Sequence, residues 1–246
     1  MAQILILRLE SPLIAFGGEA VDNLGVITDC PSHSLITGLF ANALGYRRGE
    51  AAKHQRLQDR LHYAVRLDRA GQRIRDFQTA ELDGNDRGWT TSNRPEGRAG
   101  GAGSYSGPHL RYRDYRADAS ILVAVKLDPA DEEPSLDTLA AALDAPARPL
   151  FIGRKPCLPA TRLFEGCVEA ASPRAALSAI PIEGDLGGQS VSLFWTGKAE
   201  PDERTEQRRS ATRRNWRNDV HGGAEVIHHI MITPPTGHKT AFTEPE

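Results

Sequence analysis

Residues 84–107 constrain this chain more than any other stretch. They carry seven glycines and show no apolar periodicity. Such a segment cannot bury enough surface to offset the entropy of ordering its own backbone. Any core must therefore come from the residues on either side. A long insertion of this kind within a domain is also a place where function concentrates. We expect it to be poorly ordered in the free chain and to order when a partner covers it.

The flanks supply short periodic runs. QILILRL at 3–9 and ASILVAVKLD at 119–128 read as apolar strands. A helix is expected at about 32–46, where Leu35, Ile36, Leu39, Phe40, Ala43 and Leu44 recur at helical spacing. Pro31 and Ser32 mark its start; Gly45 suits its C-terminal cap, with Arg47 and Arg48 near the negative helix end. A second helix is expected at about 50–61. YAVRLDRAGQRIRDFQTA alternates apolar and polar residues around Ala70 and Gly71, which predicts a hairpin with Val65 and Leu67 opposite Ile74 and Phe77.

After 119–128 come a helix at about 135–145 and an apolar stub, PLFIG, at 149–153. A looser second half follows: strand-like 167–171, a short helix from Ser172, a strand at 191–195, an arginine-rich stretch and EVIHHIMI at 225–232. The order β-α-(α)-β-β-insertion-β-α-β fits an α+β, ferredoxin-like sheet with helices on one face.

No run approaches the ~18 apolar residues of a membrane span. The start, MAQILILRLE, carries Arg8 and Glu10 and reads as a first strand rather than a signal peptide. Cys30, Cys157 and Cys167 are odd in number and form no CxxC pair, which favours reduced thiols and a cytoplasmic location.

The formal net charge is −2, but the charge is segregated. Acidic residues gather at 128–137 (Asp128, Asp131, Glu132, Glu133, Asp137), and arginines at 94–116 and 204–217, with an Arg-Lys pair at 154–155. A near-neutral chain patterned in this way can still present a basic groove.

Three segments carry candidate chemistry. A helix N-terminus suits phosphate, and Ser32, His33 and Ser34 add donors there. The plainer reading is that Ser32 caps the helix and His33 is solvated. HLRYRDYR interleaves Arg111, Arg113 and Arg116 with Tyr112 and Tyr115, which suits a single-stranded nucleic acid: guanidinium for phosphate, ring for base. An exposed edge strand kept soluble by charge would look the same. Arg154 and Lys155 occupy a loop after an apolar run, a usual place for a site and equally for a polar turn. His228 and His229, being adjacent, point to opposite faces of a strand and cannot both ligate one ion. No metal or cofactor is expected. No GxSxG, Walker loop, DxD pair or HExxH announces catalysis.

LILRLESPLIAFGG, PSHSLITGLFANALGYRR, AVRLD, DFQT, YRDYRADAS and RPLFIGRKPCLPA…LFEG occur in this order over roughly residues 3–170. Together they resemble the CasD family, the Cas-five-type subunit of the type I-E CRISPR complex Cascade. RRNWRNDVHGG near the end suits the same group.

The resemblance implies a ferredoxin-like (RRM-like) palm over residues 1–155, a glycine-rich thumb inserted at about 80–114, and a C-terminal β-rich extension, 156–246, packed on the palm. It implies a non-catalytic, antiviral RNA-binding subunit that grips the 5′ handle of the CRISPR RNA. Its partners would be Cas-seven-type backbone subunits and a Cas-eight-type large subunit, with target DNA engaged indirectly. The residues expected at the RNA are Ser32, His33, Ser34, Arg47, Gln78, Arg111, Arg113, Tyr115, Arg116, Arg154 and Lys155. The alternative is a metal-independent repeat endoribonuclease, as in type I-C relatives.

Overall fold

The apolar run at 119–128 is the distal half of one strand of 19 residues, and the sheet is organised around it. The structure is a computed structural model; it describes residues 1–81, 88–89, 95–96, 108–182, 188–197, 205–237 and 242–243. Most of the 84–107 segment lies outside these residues. In chain order the elements are β1 (Ala2–Ile14), β2 (Leu24–Gly25), α1 (His33–Ala43), α2 (Ala51–Arg60), β3 (Leu61–Arg69), β4 (Gln72–Ala80), β5 (Gly88–Trp89), β6 (Pro95–Glu96), β7 (His109–Leu127) and α3 (Leu136–Asp144). Then follow β8 (Phe164–Ala170), α4 (Pro173–Ala179), β9 (Val191–Thr196), β10 (Glu206–Ala211), β11 (Arg214–Asn215), β12 (Val220–His221) and β13 (Ala224–Ile232).

The main sheet runs β10-β13-β9-β3-β7-β1-β8, with β2 and β4 also paired to β7. Every neighbour along that path is antiparallel. Strand side chains alternate between faces, and here both faces are covered. Leu5, Leu7 and Leu9 of β1 enter a core with Ile36, Phe40, Leu57 and Leu139 from the first three helices. Ile4 and Ile6 point the other way, onto Ala176 and Leu177 of α4 and onto Trp195. That is why residues 4–7, Ile-Leu-Ile-Leu, read as an unbroken apolar run instead of an alternation. Each fully buried aliphatic side chain contributes ~1.5–3 kcal/mol by area removed from water.

Local chemistry sets the helix ends. The Ser32 side chain accepts from the Leu35 amide at the start of α1, Ser135 from Thr138 at α3, and Ser172 from Ala175 at α4. At the other end of α1, Gly45 has φ +76°, and the Gly45 and Tyr46 amides donate to Asn42 O and Ala41 O. This is the paired-bond cap that a left-handed glycine permits. The cation on the exposed carbonyls is Arg148, which donates to Tyr46 O at 2.9 Å and Gly45 O at 2.8 Å; Arg48 instead pairs with Asp219.

Two sequence expectations are corrected. Ala70 and Gly71 do not turn a hairpin. β3 pairs with residues 120–127 of β7 and β4 with residues 109–117, in the same direction along the same strand. β3 and β4 are one strand bent at Gly71, whose φ is +65°; a Cβ there would lie 2.1 Å from Ala117 O. The antiparallel partner of β4 is therefore the first half of β7, and residues 81–108 connect them. Residues 149–153 form no strand either. Leu150 and Ile152 are buried in an irregular loop whose Ile152 amide donates to Cys157 O at 2.7 Å. The outer position beside β1 belongs to β8.

Candidate nucleic-acid interface

β4 and the first half of β7 project as a two-stranded ribbon, and every residue of β4 is exposed. Arg75 and Asp114 cross the ribbon with bonds of 2.7 and 3.1 Å, and Phe77 and Tyr112 bring their rings to 5.2 Å. The Arg75 hydrogen bond holds the Asp114 carboxyl below its ordinary range. Gln78 stands opposite Arg111, and Arg113 opposite Asp76. Gln78 donates to Asp76, and Arg111 to Leu110 O.

At the ribbon's base, β2 lies parallel to β7 and sets Gly25 beside Arg113. The loop after Ile152 brings Arg154 to the same point. Its guanidinium donates to Asp114 O at 2.7 Å and Gly25 O at 2.8 Å, and lies 4.8 Å from the centre of the Tyr115 ring. A Cβ on Gly25 would meet Arg113 Nη1 at 2.8 Å and Arg154 Nη2 at 2.9 Å. The missing side chain is what lets the two cations converge. Tyr115 is 4% exposed and acts as the floor. Arg113 is half-buried, and among the described residues its side chain makes one long bond, 3.4 Å to Tyr112 O. Lys155, next in the loop, is exposed. Two guanidiniums held at one point with free N–H groups suit an anion such as phosphate.

The remaining expected residues lie elsewhere. Arg116 is 6% exposed, donates to Ala70 O at 2.6 Å and pairs closely with Asp29, which Arg73 also holds. Burial would raise the Asp29 pKa, but these two arginines bring it below its ordinary value. The front of α1 faces inward. His33 is 2% exposed and meets Glu225 at 3.1 Å, and the Ser34 amide donates to Thr212 O at 2.9 Å. His33 is thus buried, neither solvated nor at the surface. Arg47 is exposed at the opposite end of that helix. His228 stacks on Trp195 and His229 on Phe194, on opposite faces of β13. Among the described residues no group of His, Cys, Asp or Glu could hold a metal ion, and no helix is long and apolar enough to cross a membrane.

Sequence reasoning missed Gly25, Arg75 and Asp114. Nothing local links Gly25 to residues beyond 110.

The family profile described as "CRISPR-associated protein (Cas_Cas5)" matches residues 4–225. The chain belongs to this family of CRISPR-associated proteins. It is 30% identical over 207 residues to "CRISPR system Cascade subunit CasD" of Escherichia coli (strain K12), spanning 82% of this chain and 89% of that protein. A solved structure described as "CRISPR RNA-guided surveillance complex" contains a similar chain, with TM-score 0.67, 25% identity and coverage of 94% of this chain and 91% of that one. A second, "Crystal structure of Cas protein", shares the fold at TM-score 0.62 and 23% identity, over 95% and 98% of the two chains.

Proposed function

We propose that this chain is the non-catalytic Cas-five-type subunit of a type I-E Cascade complex and grips the 5′ handle of the CRISPR RNA. The observation that carries the reading is the convergence of Arg113 and Arg154 over Gly25, at the base of an exposed ribbon. The likeness to the Cascade subunit CasD, over most of both chains, supplies the assembly. The handle's phosphates lie against Arg113, Arg154 and Lys155, with Arg111 and Gln78 further along the ribbon. Ser32, His33 and Ser34 pack α1 against the C-terminal strands, and Arg116 holds Asp29; these four shape the fold and do not touch the RNA.

In this reading the palm is ferredoxin-like. The order β8-β1-β7-β3, with α1, α2 and α3 packed on one face, supports it. The ribbon of β4 and β7 is the thumb, and residues 156–246 extend the palm. Cas-seven-type backbone subunits and a Cas-eight-type large subunit flank the chain in the cytoplasm, and target DNA is engaged through them.

Co-purification of the tagged chain with its partners, followed by sequencing of the bound RNA, tests the reading. Repeat-derived 5′ ends are expected. Purified chain incubated with repeat RNA in EDTA should leave it uncut; cleavage at one site would establish the endoribonuclease instead.

A further inference from the structure

The arginine-rich segment after β10 returns to the far end of α1, where it builds a second basic surface. Asp219 joins the two parts: Arg48 pairs with one of its oxygens, and Arg214 with the other at 2.9 Å. Beneath them runs a stack of rings. Lys53 Nζ lies 5.2 Å from the Tyr46 ring centre; Tyr46 meets His54 edge-on at 5.6 Å; His54 stacks on Trp216 at 4.7 Å; and the Arg214 guanidinium lies 5.1 Å from the Trp216 ring. Trp216 Nε1 also donates to Gln58 at 3.2 Å. These contacts tie the 45–50 loop, α2 and the β11–β12 turn into one platform.

The platform carries excess positive charge. Arg47, Arg48, Lys53, Arg148, Arg214 and Arg217 stand against Glu50, Asp219 and the nearby Glu133, while Arg213 with Asp59 and Arg56 with Glu132 form neutral pairs. Arg47 and Arg217 are exposed, and neither side chain has an ion-pair partner among the described residues. Arg48 is 66% exposed. An ordinary solvated surface mixes signs and needs no aromatic bracing. Fixed guanidiniums on a rigid base suit a phosphodiester backbone, which they bind electrostatically and without sequence preference.

We propose that this platform, built by different elements from the Arg113–Arg154 site, is a second contact for a nucleic-acid backbone. It rests on the reading that the chain works against nucleic acid. RNA and DNA share the phosphodiester chemistry, so the test separates them. The full chain and the double variant Arg47→Ala/Arg217→Ala are titrated over several salt concentrations with repeat RNA and, separately, with duplex DNA. Both side chains are exposed, so the melting temperature should not move. If both arginines meet phosphates, the salt slope should fall by about 1.4 on single-stranded RNA or about 1.8 on duplex DNA. Affinity at moderate salt should drop tenfold or more. A fall with RNA alone, or with DNA alone, supports the platform and names the strand. Unchanged slopes with both, while Arg113→Ala still weakens RNA binding, would overturn this inference and leave the handle reading standing. Loss of partner subunits from the variant with nucleic-acid binding intact would also overturn it, marking an acidic protein surface as the occupant. A wild-type chain that binds neither probe would refute both readings.

Discussion

The guanidinium of Arg154 lies over the ring of Tyr115, 4.8 Å from its centre, while donating to two backbone carbonyls. One side chain thus locks the loop after residue 150 to β2 and β7, and presents charge at the surface. Arg154→Ala removes a cation–π contact and two charge-assisted hydrogen bonds, at a cost of about 1–3 kcal/mol. In a protein of this size that lowers the melting temperature by roughly 2–12 °C. Arg154→Lys keeps the charge but loses the planar fork; RNA affinity should still fall. Full RNA affinity in the lysine variant would show that the charge alone suffices.

Gly25→Ala separates grip from fold. The new methyl would press on Nη1 and Cδ of Arg113 and on Nη2 of Arg154, so both side chains must shift. Stability should change by about 1–2 kcal/mol, since no left-handed strain is introduced but Arg154 loses part of its hold on Gly25 O. RNA affinity should fall about tenfold, because the two guanidiniums no longer share one point. Binding at the wild-type level would place the phosphate elsewhere.

Gly71→Ala does the reverse. Its Cβ would strike Ala117 O, and the residue sits at φ +65°. Left-handed strain plus a backbone clash predicts a loss of about 2–4 kcal/mol. Gly17→Ala, with nothing within 4 Å of the added Cβ, is the control. Equal melting temperatures for the two variants would contradict the bent-strand account.

These glycines show where sequence was informative and where it was not. The ends of α1 were legible because cap chemistry is local: Ser32 and Gly45 act on amides within a few residues. The bend at Gly71 was not. Alternation with period two continues through a bend as it does around a hairpin, and the true partner of β4 lies beyond the glycine-rich segment. Arg113 and Arg154 stood out as charges beside aromatics and at a loop. Gly25, which joins them, is 129 residues from Arg154. His33 could be read as solvated because its partner Glu225 is 192 residues away.

That pair sets an acid-sensitive latch between α1 and the C-terminal strands. Burial opposes the Glu225 charge, but His33, Thr212 and Arg213 bring its pKa from 4.5 to about 2. A depressed carboxylate contributes stability above its unfolded pKa and loses it as pH falls through the folded one. The window is therefore about pH 4.5 down to 2, with the contribution present above it. Melting curves should show Glu225→Gln starting lower than wild type and declining less across that window. Parallel curves would remove the latch.

Salt dependence tests most directly whether Arg113 meets a phosphate of the RNA handle. Handle affinity of wild type and Arg113→Ala is measured at several salt concentrations. The account predicts a slope lower by about 0.7 and a loss of about ten- to a hundredfold in affinity, with the fold unchanged. An unchanged slope with full affinity would contradict it.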